Sequence, residues 1–377
     1  MISSKTECAH KCLTYTMCQT ATYYEQIQIC SLYSEKYSVG QILGGINQAS
    51  SVLEMKNREP TIRVLSSQST WSQSAITLAG NSAGISGSGG SHLYIPIPFY
   101  YDQPNNLIIV GDNGNSRVIQ FHLNNPSSNG TVIAGGNGNS CTSLNQFYNT
   151  VGIALDSSRH LYVSDSGCSR ILMFPPNSNS STFGVLIITL SIPEGIFINS
   201  LTDDLYVAVY STSSVVMIAK NSTVSVVVAG GNGGGNGLNQ LYHSNSVYFD
   251  YLYTNSLYVT DTDNNRVLKF PSGSTSLTNG TIVAGSSSSG SGSNQLSNPR
   301  ASLVDMNGIV YVSDGGNNRI QRWLPGASSG DTLVGGVSGT ASNQLTFTES
   351  ILFNENYQLL VVDRGNNRIQ IFNITAY

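Results

Sequence analysis

Short segments in which apolar and polar side chains alternate recur along most of the chain. The segment from Leu161 to Phe174, LYVSDSGCSRILMF, has an apolar run ending in Asp, a small polar turn and a second apolar run beginning at Arg. Such alternation indicates a half-buried β-strand, and Gly, Asn and Ser between two runs favour a tight turn. The pattern predicts a β-hairpin, and no segment of the repeating region has a helical period.

This hairpin recurs in one register. In five copies an Asp precedes an Arg by five residues, and the pairs are Asp112–Arg117, Asp165–Arg170, Asp261–Arg266, Asp314–Arg319 and Asp363–Arg368. In a degenerate copy, Val209 and Ser214 stand at these positions. Successive copies lie 44 to 53 residues apart, close to the length of one four-stranded propeller blade. We interpret the pairs as structural, because an active site would be used once and this pair is repeated.

Each unit predicts four strands. An apolar strand precedes the hairpin, and the residues at its end are Asp102, Asp156, Asn199, Asp250, Asp305 and Asn354. A short strand such as TVIAG (Thr131 to Gly135) follows the hairpin. The last unit lacks this fourth strand, whereas a similar strand, ITLAG (Ile76 to Gly80), precedes the first unit. Their pairing would remove two sheet edges, so the sequence predicts an all-β, six-bladed β-propeller with one-plus-three strand closure.

From about Trp71 to Tyr377 the chain resembles the NHL repeat family. The resemblance rests on the LYVSD-type strand and the NNR turn, as in LYVTDTDNNRVLKF from Leu257 to Phe270. Because the motif recurs five times in one register, the resemblance implies NHL-type blades around the ring. The degenerate copy at Leu205 departs from the family pattern at its turn.

The first 30 residues contain four of the six cysteines, namely Cys8, Cys12, Cys18 and Cys30. This density favours a disulfide framework in an oxidising compartment over a zinc site, because no C-x-x-C pair is present. The spacing alone leaves three connectivities open. The segment ECAHKCLTY predicts a short helix with two cysteines on one face, and QTATYYEQIQICSLYS predicts two strands.

This N-terminal segment resembles the PAN/Apple module, a small α+β domain whose helix is joined to its sheet by disulfides. By that resemblance Cys8 pairs with Cys30 and Cys12 with Cys18. The predicted domains are an incomplete PAN/Apple-like module at residues 1–56, a linker at 57–70 and the propeller at 71–377. No signal peptide is visible after Met1, so a secreted protein would need a start that this sequence lacks.

Composition and charge argue against two classes of partner. Only 10% of the residues are charged and the net charge is −4, without a basic run, which disfavours binding to nucleic acid or to an anionic membrane surface. No apolar stretch is long enough to span a bilayer. We expect a monomer that binds a protein or a carbohydrate.

Several motifs that suggest chemistry are better explained as structure. Asp261-Thr-Asp263 resembles a calcium loop but lacks the required Gly and the terminal Glu. The run from Gly80 to Gly84 matches G-x-S-x-G, yet no helix is predicted after Ser82. None of the histidines has a partner at metal-ligand spacing, and they are His10, His92, His122, His160 and His243. We therefore predict no catalytic residue, no metal site and no cofactor.

The remaining cysteines and the glycosylation sequons are predicted to lie on opposite faces of the ring. Cys141 lies in a loop between blades and Cys168 in the following hairpin turn; these loop types share a face, so we predict a disulfide. The N-x-S/T sequons all follow a third strand, and they are Asn129, Asn179, Asn221, Asn279 and Asn373. The predicted ligand-binding positions are turn residues on the cysteine face, namely Asn113, Asn115, Ser166, Ser169, Asn264, Asn317, Arg364 and Asn366.

These features favour a secreted, non-enzymatic recognition protein. A closed ring presents many short loops on a rigid platform, so binding loses little conformational entropy. Three alternatives remain open. They are a propeller-type lyase or hydrolase with a central-channel site, an RNA-binding NHL propeller, and a structural spacer within a larger secreted protein.

Overall fold

The structure, a computed structural model, describes residues 65–125, 129–286 and 288–377. The chain divides into two compact units, Met1–Arg63 and Val64–Tyr377, and the described residues belong to the second. The predicted PAN/Apple-like module, its two disulfides and most of the predicted linker lie outside the described residues.

Two strands precede the first complete blade, β1 (Thr70–Trp71) and β2 (Ile76–Gly80). The strands of blade 1 are β3 (Pro96–Asp102), β4 (Leu107–Asp112), β5 (Arg117–His122) and β6 (Thr131–Gly135). Those of blade 2 are β7 (Thr150–Leu155), β8 (Leu161–Asp165), β9 (Arg170–Phe174) and β10 (Val185–Thr189). Those of blade 3 are β11 (Pro193–Ile198), β12 (Leu205–Val209), β13 (Ser214–Ile218) and β14 (Ser225–Gly230).

The second half of the ring continues this arrangement. The strands of blade 4 are β15 (Ser246–Asp250), β16 (Ser256–Asp261), β17 (Arg266–Pro271) and β18 (Thr281–Gly285). Those of blade 5 are β19 (Pro299–Val304), β20 (Val310–Asp314), β21 (Arg319–Trp323) and β22 (Asp331–Gly335). Three strands of blade 6 follow, β23 (Thr348–Phe353), β24 (Leu359–Asp363) and β25 (Arg368–Phe372), and the last strand is β26 (Ile374–Ala376).

Blade 6 closes the ring with a strand from the other end of the repeat region. Its sheet has the order β2-β25-β24-β23, with Ile76 opposite Ile371 and Gly80 opposite Arg368. The first strands of successive blades contact one another in a closed cycle, β3-β7-β11-β15-β19-β23 and back to β3. The prediction of an all-β, six-bladed propeller with one-plus-three closure is confirmed.

A further pairing, which the sequence did not suggest, lies beside the closure. Strand β1 pairs antiparallel with β26, the last strand of the chain. Trp71 in β1 is buried, stacks on Phe353 and donates its indole N–H to the carbonyl of Tyr357 at 2.8 Å. Leu65 is buried in the same core, against blades 5 and 6. The segment that enters the propeller is therefore packed against it from Leu65 onward.

The apolar core consists of six clusters, and each lies between two neighbouring blades. In the cluster between blades 6 and 1, Leu78 of β2 contacts a group that includes Phe99 and Ile369. Since every blade contributes to two clusters, an open ring would expose apolar surface on both sides of the gap.

A buried Asp–Arg clamp recurs in five blades. In blade 6, Asp363 accepts a hydrogen bond from Arg368 Nε at 2.7 Å, and its carboxyl is fully buried. The same carboxyl accepts the backbone N–H of Thr346, and the Arg368 guanidinium donates to the carbonyls of Thr340 and Gln344. Burial raises the pKa of Asp363, and the donors around it lower the pKa. The clamp therefore fixes the long loop that enters its own blade.

Blade 3 lacks the clamp because it has no long loop to hold. Strand β10 ends at Thr189 and β11 begins at Pro193, so the entering loop is only residues 190–192. The loops that enter the other blades span residues 81–95, 136–149, 231–245, 286–298 and 336–347. This difference is a physical reason for Val209 and Ser214 at the positions that carry Asp and Arg elsewhere.

The second Asn of the NNR turn connects neighbouring blades. The side-chain oxygens of Asn265, Asn318 and Asn367 accept the backbone N–H of Asn298, Phe347 and Ile95, respectively, each in the next blade. The three residues that donate these N–H groups, Asn298, Phe347 and Ile95, have φ angles of 49°, 47° and 52°. Residues other than Gly rarely adopt this left-handed region, so the cross-blade bond supports a strained backbone.

Candidate functional site

The two faces of the ring differ in their loops. We define the loop face by the long loops that enter the blades and by the turns between second and third strands. The sequon face carries the turns between first and second strands and the loops between third and fourth strands. The two loop types of each face lie together because consecutive strands of every blade are antiparallel.

Polar side chains from five blades meet on the loop face at the ring axis. Glu194 of blade 3 accepts hydrogen bonds from Ser166 Oγ at 3.3 Å and from Asn245 Nδ2 at 3.2 Å. Arg300 of blade 5 donates to Asn245 Oδ1 at 2.9 Å and to Glu349 Oε2 of blade 6 at 2.8 Å. These five residues come from blades 2 to 6 and form one chain of contacts, which is possible only beside the central channel. We call them the mouth cluster.

Glu349 holds two guanidinium groups in place. Its carboxylate is buried, with an exposed fraction of 4%, and accepts from Arg300 Nε and from Arg364 Nη1, the latter at 2.6 Å. Both guanidiniums also lie against the ring of Phe347, at 5.8 Å and 5.1 Å from its centroid. The two arginines together carry one more positive charge than the Glu349 carboxylate neutralises.

The Glu194 carboxyl titrates near neutral pH. Burial raises the pKa of Glu194 to about 7, whereas Arg300 and the donors Ser166 and Asn245 lower the pKa and the Glu349 carboxylate raises it. The charge of the mouth cluster is therefore expected to change between mildly acidic and mildly basic conditions.

Replacing Glu194 with Gln should remove part of the pH dependence of folding. The folded-state pKa of about 7 lies above the ordinary value of 4.5, so the folded protein binds this proton more tightly than the unfolded chain. The stabilisation from Glu194 is thus present below pH 4.5 and is lost as the pH rises through 7. We expect a difference on the order of 1 kcal/mol between wild type and Glu194→Gln when urea unfolding at pH 5 and pH 8 is compared. Identical pH profiles would contradict the burial of this carboxyl.

A shallow cavity of about 440 Å³ lies beside the mouth cluster, between blades 6 and 1. Its lining residues are Tyr94, Ile95, Phe347, Arg364, Gly365 and Asn367. Arg364 is the one charged residue of this lining. Ile95 is β-branched and has a φ of 52°, held by its hydrogen bond to Asn367 Oδ1 at 2.9 Å. The cavity wall is thus built on left-handed backbone that costs about 1–3 kcal/mol per residue.

Exposed aromatic rings surround the mouth cluster. Tyr94, Tyr148 and Tyr242 occupy equivalent positions in three entering loops, where each backbone N–H is accepted by the Asp of the clamp. Their exposed fractions are 44%, 53% and 42%. Tyr210 of blade 3 stacks on His243, with ring centroids 3.9 Å apart. The loop face therefore presents several flat side chains with polar tips, which suit a polar ligand.

Most of the turn residues predicted to bind a ligand direct their amides into the protein. In four clamps the Asn two positions before the Arg donates both to the clamp Asp and to a carbonyl of the entering loop. These residues are Asn115, Asn264, Asn317 and Asn366. Asn113 donates to Asn149 of the next blade. Ser169 adopts a left-handed φ of 54° at the end of its turn. Two of the eight, Ser166 and Arg364, lie at the channel mouth.

Cys141 and Cys168 are joined by a disulfide on the loop face, with the two Cα atoms 5.4 Å apart. The bond links the loop that enters blade 2 to the turn between β8 and β9, in parallel with the clamp formed by Arg170. Mass spectrometry of the non-reduced protein should find a cross-linked peptide containing both cysteines. Two free thiols at these positions would count against an oxidising compartment.

The sequon asparagines are all exposed and follow the third strands of their blades. Four of them are in loops between third and fourth strands, Asn129, Asn179, Asn221 and Asn279. The fifth, Asn373, directly follows β25, the third strand of blade 6. Two of these loops reach the long entering loops, since Asn129 contacts Gly90 and Ser180, next to Asn179, accepts a hydrogen bond from Asn137. Attached sugars would therefore lie beside the outer strands of the ring and leave the channel mouth uncovered.

Three charged residues of the mouth cluster were not predicted from the sequence, and they are Glu194, Arg300 and Glu349. They lie in the first strands of blades 3, 5 and 6, respectively. Each comes one position after the first-strand residue that pairs with the last residue of the second strand. The equivalent residues of blades 1 and 2 are Ile97 and Val151. A charged residue at a repeated position that is apolar in blades 1 and 2 was thus the available signal.

The motifs with possible metal chemistry have structural partners. Asp261 is held by Arg266, and Asp263 accepts from His243 Nδ1 at 2.7 Å. Within residues 65–377, apart from the undescribed positions, no three His, Cys, Asp or Glu side chains are grouped as a metal site. Among the described residues, no helix has the length and apolar character needed to cross a membrane.

Known proteins are similar to both parts of the chain, the N-terminal segment and the propeller. Residues 1–56 match the PAN domain. No curated protein sequence matches the chain at a significant level. The propeller is similar to an auxiliary nutrient binding protein from Bacteroides thetaiotaomicron, with 12% identity and a TM-score of 0.61 over 81% of this chain and 77% of the other.

Two further solved structures share the architecture. A putative gluconolactonase has 13% identity and a TM-score of 0.53 over 85% of this chain and 97% of its own. A chain of a nidogen/laminin complex has 17% identity and a TM-score of 0.50 over 64% of this chain and 81% of its own. At these identities the likeness shows the fold alone. The chain thus combines a PAN domain at residues 1–56 with a six-bladed β-propeller of NHL-like repeats.

Proposed function

We propose that this chain is a secreted, non-catalytic recognition protein that acts as a monomer and binds a protein or glycan ligand on the loop face of its propeller. The observation that carries the proposal is the separation of the sequons from the channel mouth. The five sequon asparagines are exposed beside the outer strands of the ring, whereas the exposed tyrosines, the cavity and the mouth cluster lie on the loop face around the channel.

The clamps supply the rigidity that such a site needs. Every long loop is fixed by a buried Arg, as in blade 5, where Arg319 donates to the carbonyls of Ser291, Gly292 and Gln295. Loops that are already ordered lose little conformational entropy on binding, so a modest contact area can yield useful affinity. A PAN domain in the same chain is compatible with an extracellular setting.

A binding screen tests this proposal. The glycosylated protein should be applied to a glycan array and to a library of cell-surface proteins, and its hits titrated. We expect at least one ligand whose binding survives replacement of all five sequon asparagines by Gln, because these residues lie beside the outer strands and away from the channel mouth. Failure of the correctly folded protein to bind in both screens would oppose a recognition role.

Enzymatic activity at the channel mouth is the second candidate. Two carboxyl groups, Glu194 and Glu349, lie in the mouth cluster, and the pKa of Glu194 is raised to about 7 by burial, as a general acid or base requires. Two structural relatives carry enzyme names, a putative gluconolactonase and a virginiamycin B lyase. Turnover of a screened ligand that disappears in Glu194→Gln, with binding retained, would favour this candidate over simple recognition.

A further inference from the structure

We propose that the cavity between blades 6 and 1 binds an acidic sugar, with the carboxylate of the sugar on Arg364 and its ring against the aromatic wall. This inference rests on the proposed recognition function and names the class of ligand that the loop face takes. The cavity lining contains one cation, two aromatic rings and no anion.

Arg364 is held in place by Glu349 but keeps hydrogen-bond donors that can bind a ligand. Its Nη1 donates to Glu349 at 2.6 Å, and its Nε and Nη2 have no hydrogen-bond partner among the described residues. The side chain is 31% exposed, so these donors can reach a ligand in the cavity. Two adjacent N–H groups of a guanidinium match the two oxygens of a carboxylate.

The charge balance favours an anion. The Glu349 carboxylate is shared by Arg300 and Arg364, and the second carboxyl of the mouth cluster, Glu194, lies on the Arg300 side, where both bond to Asn245. The positive charge on the cavity side therefore belongs to Arg364. The nearest other carboxyls on this face, Asp112 of blade 1 and Asp363 of blade 6, are fully buried and paired with Arg117 and Arg368.

The aromatic wall favours a sugar over an acidic peptide. Phe347 is held in place by the cross-blade bond from its N–H to Asn318 Oδ1 at 2.8 Å, and Tyr94 by the bond from its N–H to Asp112. The exposed ring of Tyr94 can stack on the apolar face of a sugar ring, and its hydroxyl can bond to sugar hydroxyls, while Phe347 supports the Arg364 guanidinium from within the wall. The cavity volume of about 440 Å³ suits one or two sugar units rather than an extended peptide, which would need a groove or a sheet edge.

A glycan array with matched acidic and neutral ligands tests the inference. The array carries glycans that end in a uronic or sialic acid and the same glycans as methyl esters. We expect wild type to bind the acids and not the esters, and Arg364→Ala to weaken binding at least tenfold, the loss expected for a charged hydrogen-bonded pair. Arg364→Lys, which keeps the charge without the paired donors, should give an intermediate loss. Lys220→Ala removes one positive charge from the sequon face and should bind as wild type.

The outcomes separate this inference from the recognition function. Equal binding of acids and esters, or full binding by Arg364→Ala, would overturn the sugar-acid site while leaving recognition in place. Capture of a cell-surface protein with no glycan binding would do the same. Absence of any ligand for the folded protein would overturn both. Thermal unfolding of each variant confirms that a loss of binding is not a loss of fold.

Discussion

Replacing Arg368 with alanine is expected to lower the free energy of unfolding by about 3–5 kcal/mol, because it leaves the buried Asp363 carboxyl without its partner. Arg368 also donates to Ser82, Thr340 and Gln344, so the substitution frees the loops on both sides of the closing blade. Equilibrium unfolding in urea, followed by tryptophan fluorescence, measures the loss.

Two further variants keep this prediction testable. Arg368→Lys retains the charge and should lose less stability than Arg368→Ala, which matters if the alanine variant does not fold. Lys220→Ala removes an exposed cation whose partner Asp203 also accepts two hydrogen bonds from Ser157, so this variant should unfold close to wild type. If Arg368→Ala also unfolds close to wild type, the clamp is not the element that holds the loop face.

Replacing Leu78 with alanine is expected to cost about 2–5 kcal/mol. Leu78 lies in β2 and is only 1% exposed, within the core between blades 6 and 1. Truncation leaves a cavity among side chains from the two ends of the repeat region, so the loss reports directly on closure of the ring. The same unfolding measurement applies.

A neighbouring residue of the same strand provides the control. Ile76 is 52% exposed, and Ile76→Ala should change stability by less than about 1 kcal/mol. A large cost for Leu78 with a small cost for Ile76 supports the pairing of β2 with β25. Equal, small costs for both would mean that β2 does not complete blade 6.

The repeated hairpin made the fold predictable from the sequence. Five copies in one register define the second and third strands, and the lone strand at Ile76 defines the closure. Pairing between β1 and β26 was not predicted, because two- and three-residue strands have no periodicity to detect. Its anchor, Trp71, is buried by blades that lie far along the chain.

The site was less predictable because it depends on the ring. Glu194 and Glu349 are 155 positions apart in the sequence and both interact with Arg300 only because the inner strands surround one axis. The turn residues that the repeat made conspicuous, such as Asn264 and Asn366, form the clamps. A repeated residue is typical of structure that every blade needs, whereas the residues of the mouth cluster differ from blade to blade.

The degenerate copy of the repeat, in blade 3, lacks both the clamp and a long entering loop. Its turn departs from the repeat, and the loop before it is only residues 190–192. Blade 3 therefore contributes no long loop to the loop face beside Glu194, where Tyr210 and His243 stack.

The central claim, that ligands bind at the mouth of the channel on the loop face, is tested most directly by a glycan placed there. Thr340→Asn creates a sequon with Ser342 in the loop that enters blade 6, where Thr340 is exposed and adjoins Gly84 beside the cavity. We expect the glycosylated variant to lose binding to every ligand found in the screens. Enzymatic removal of the glycan should restore binding, and Thr340→Gln should bind as wild type. Undiminished binding by the glycosylated variant would contradict the claim.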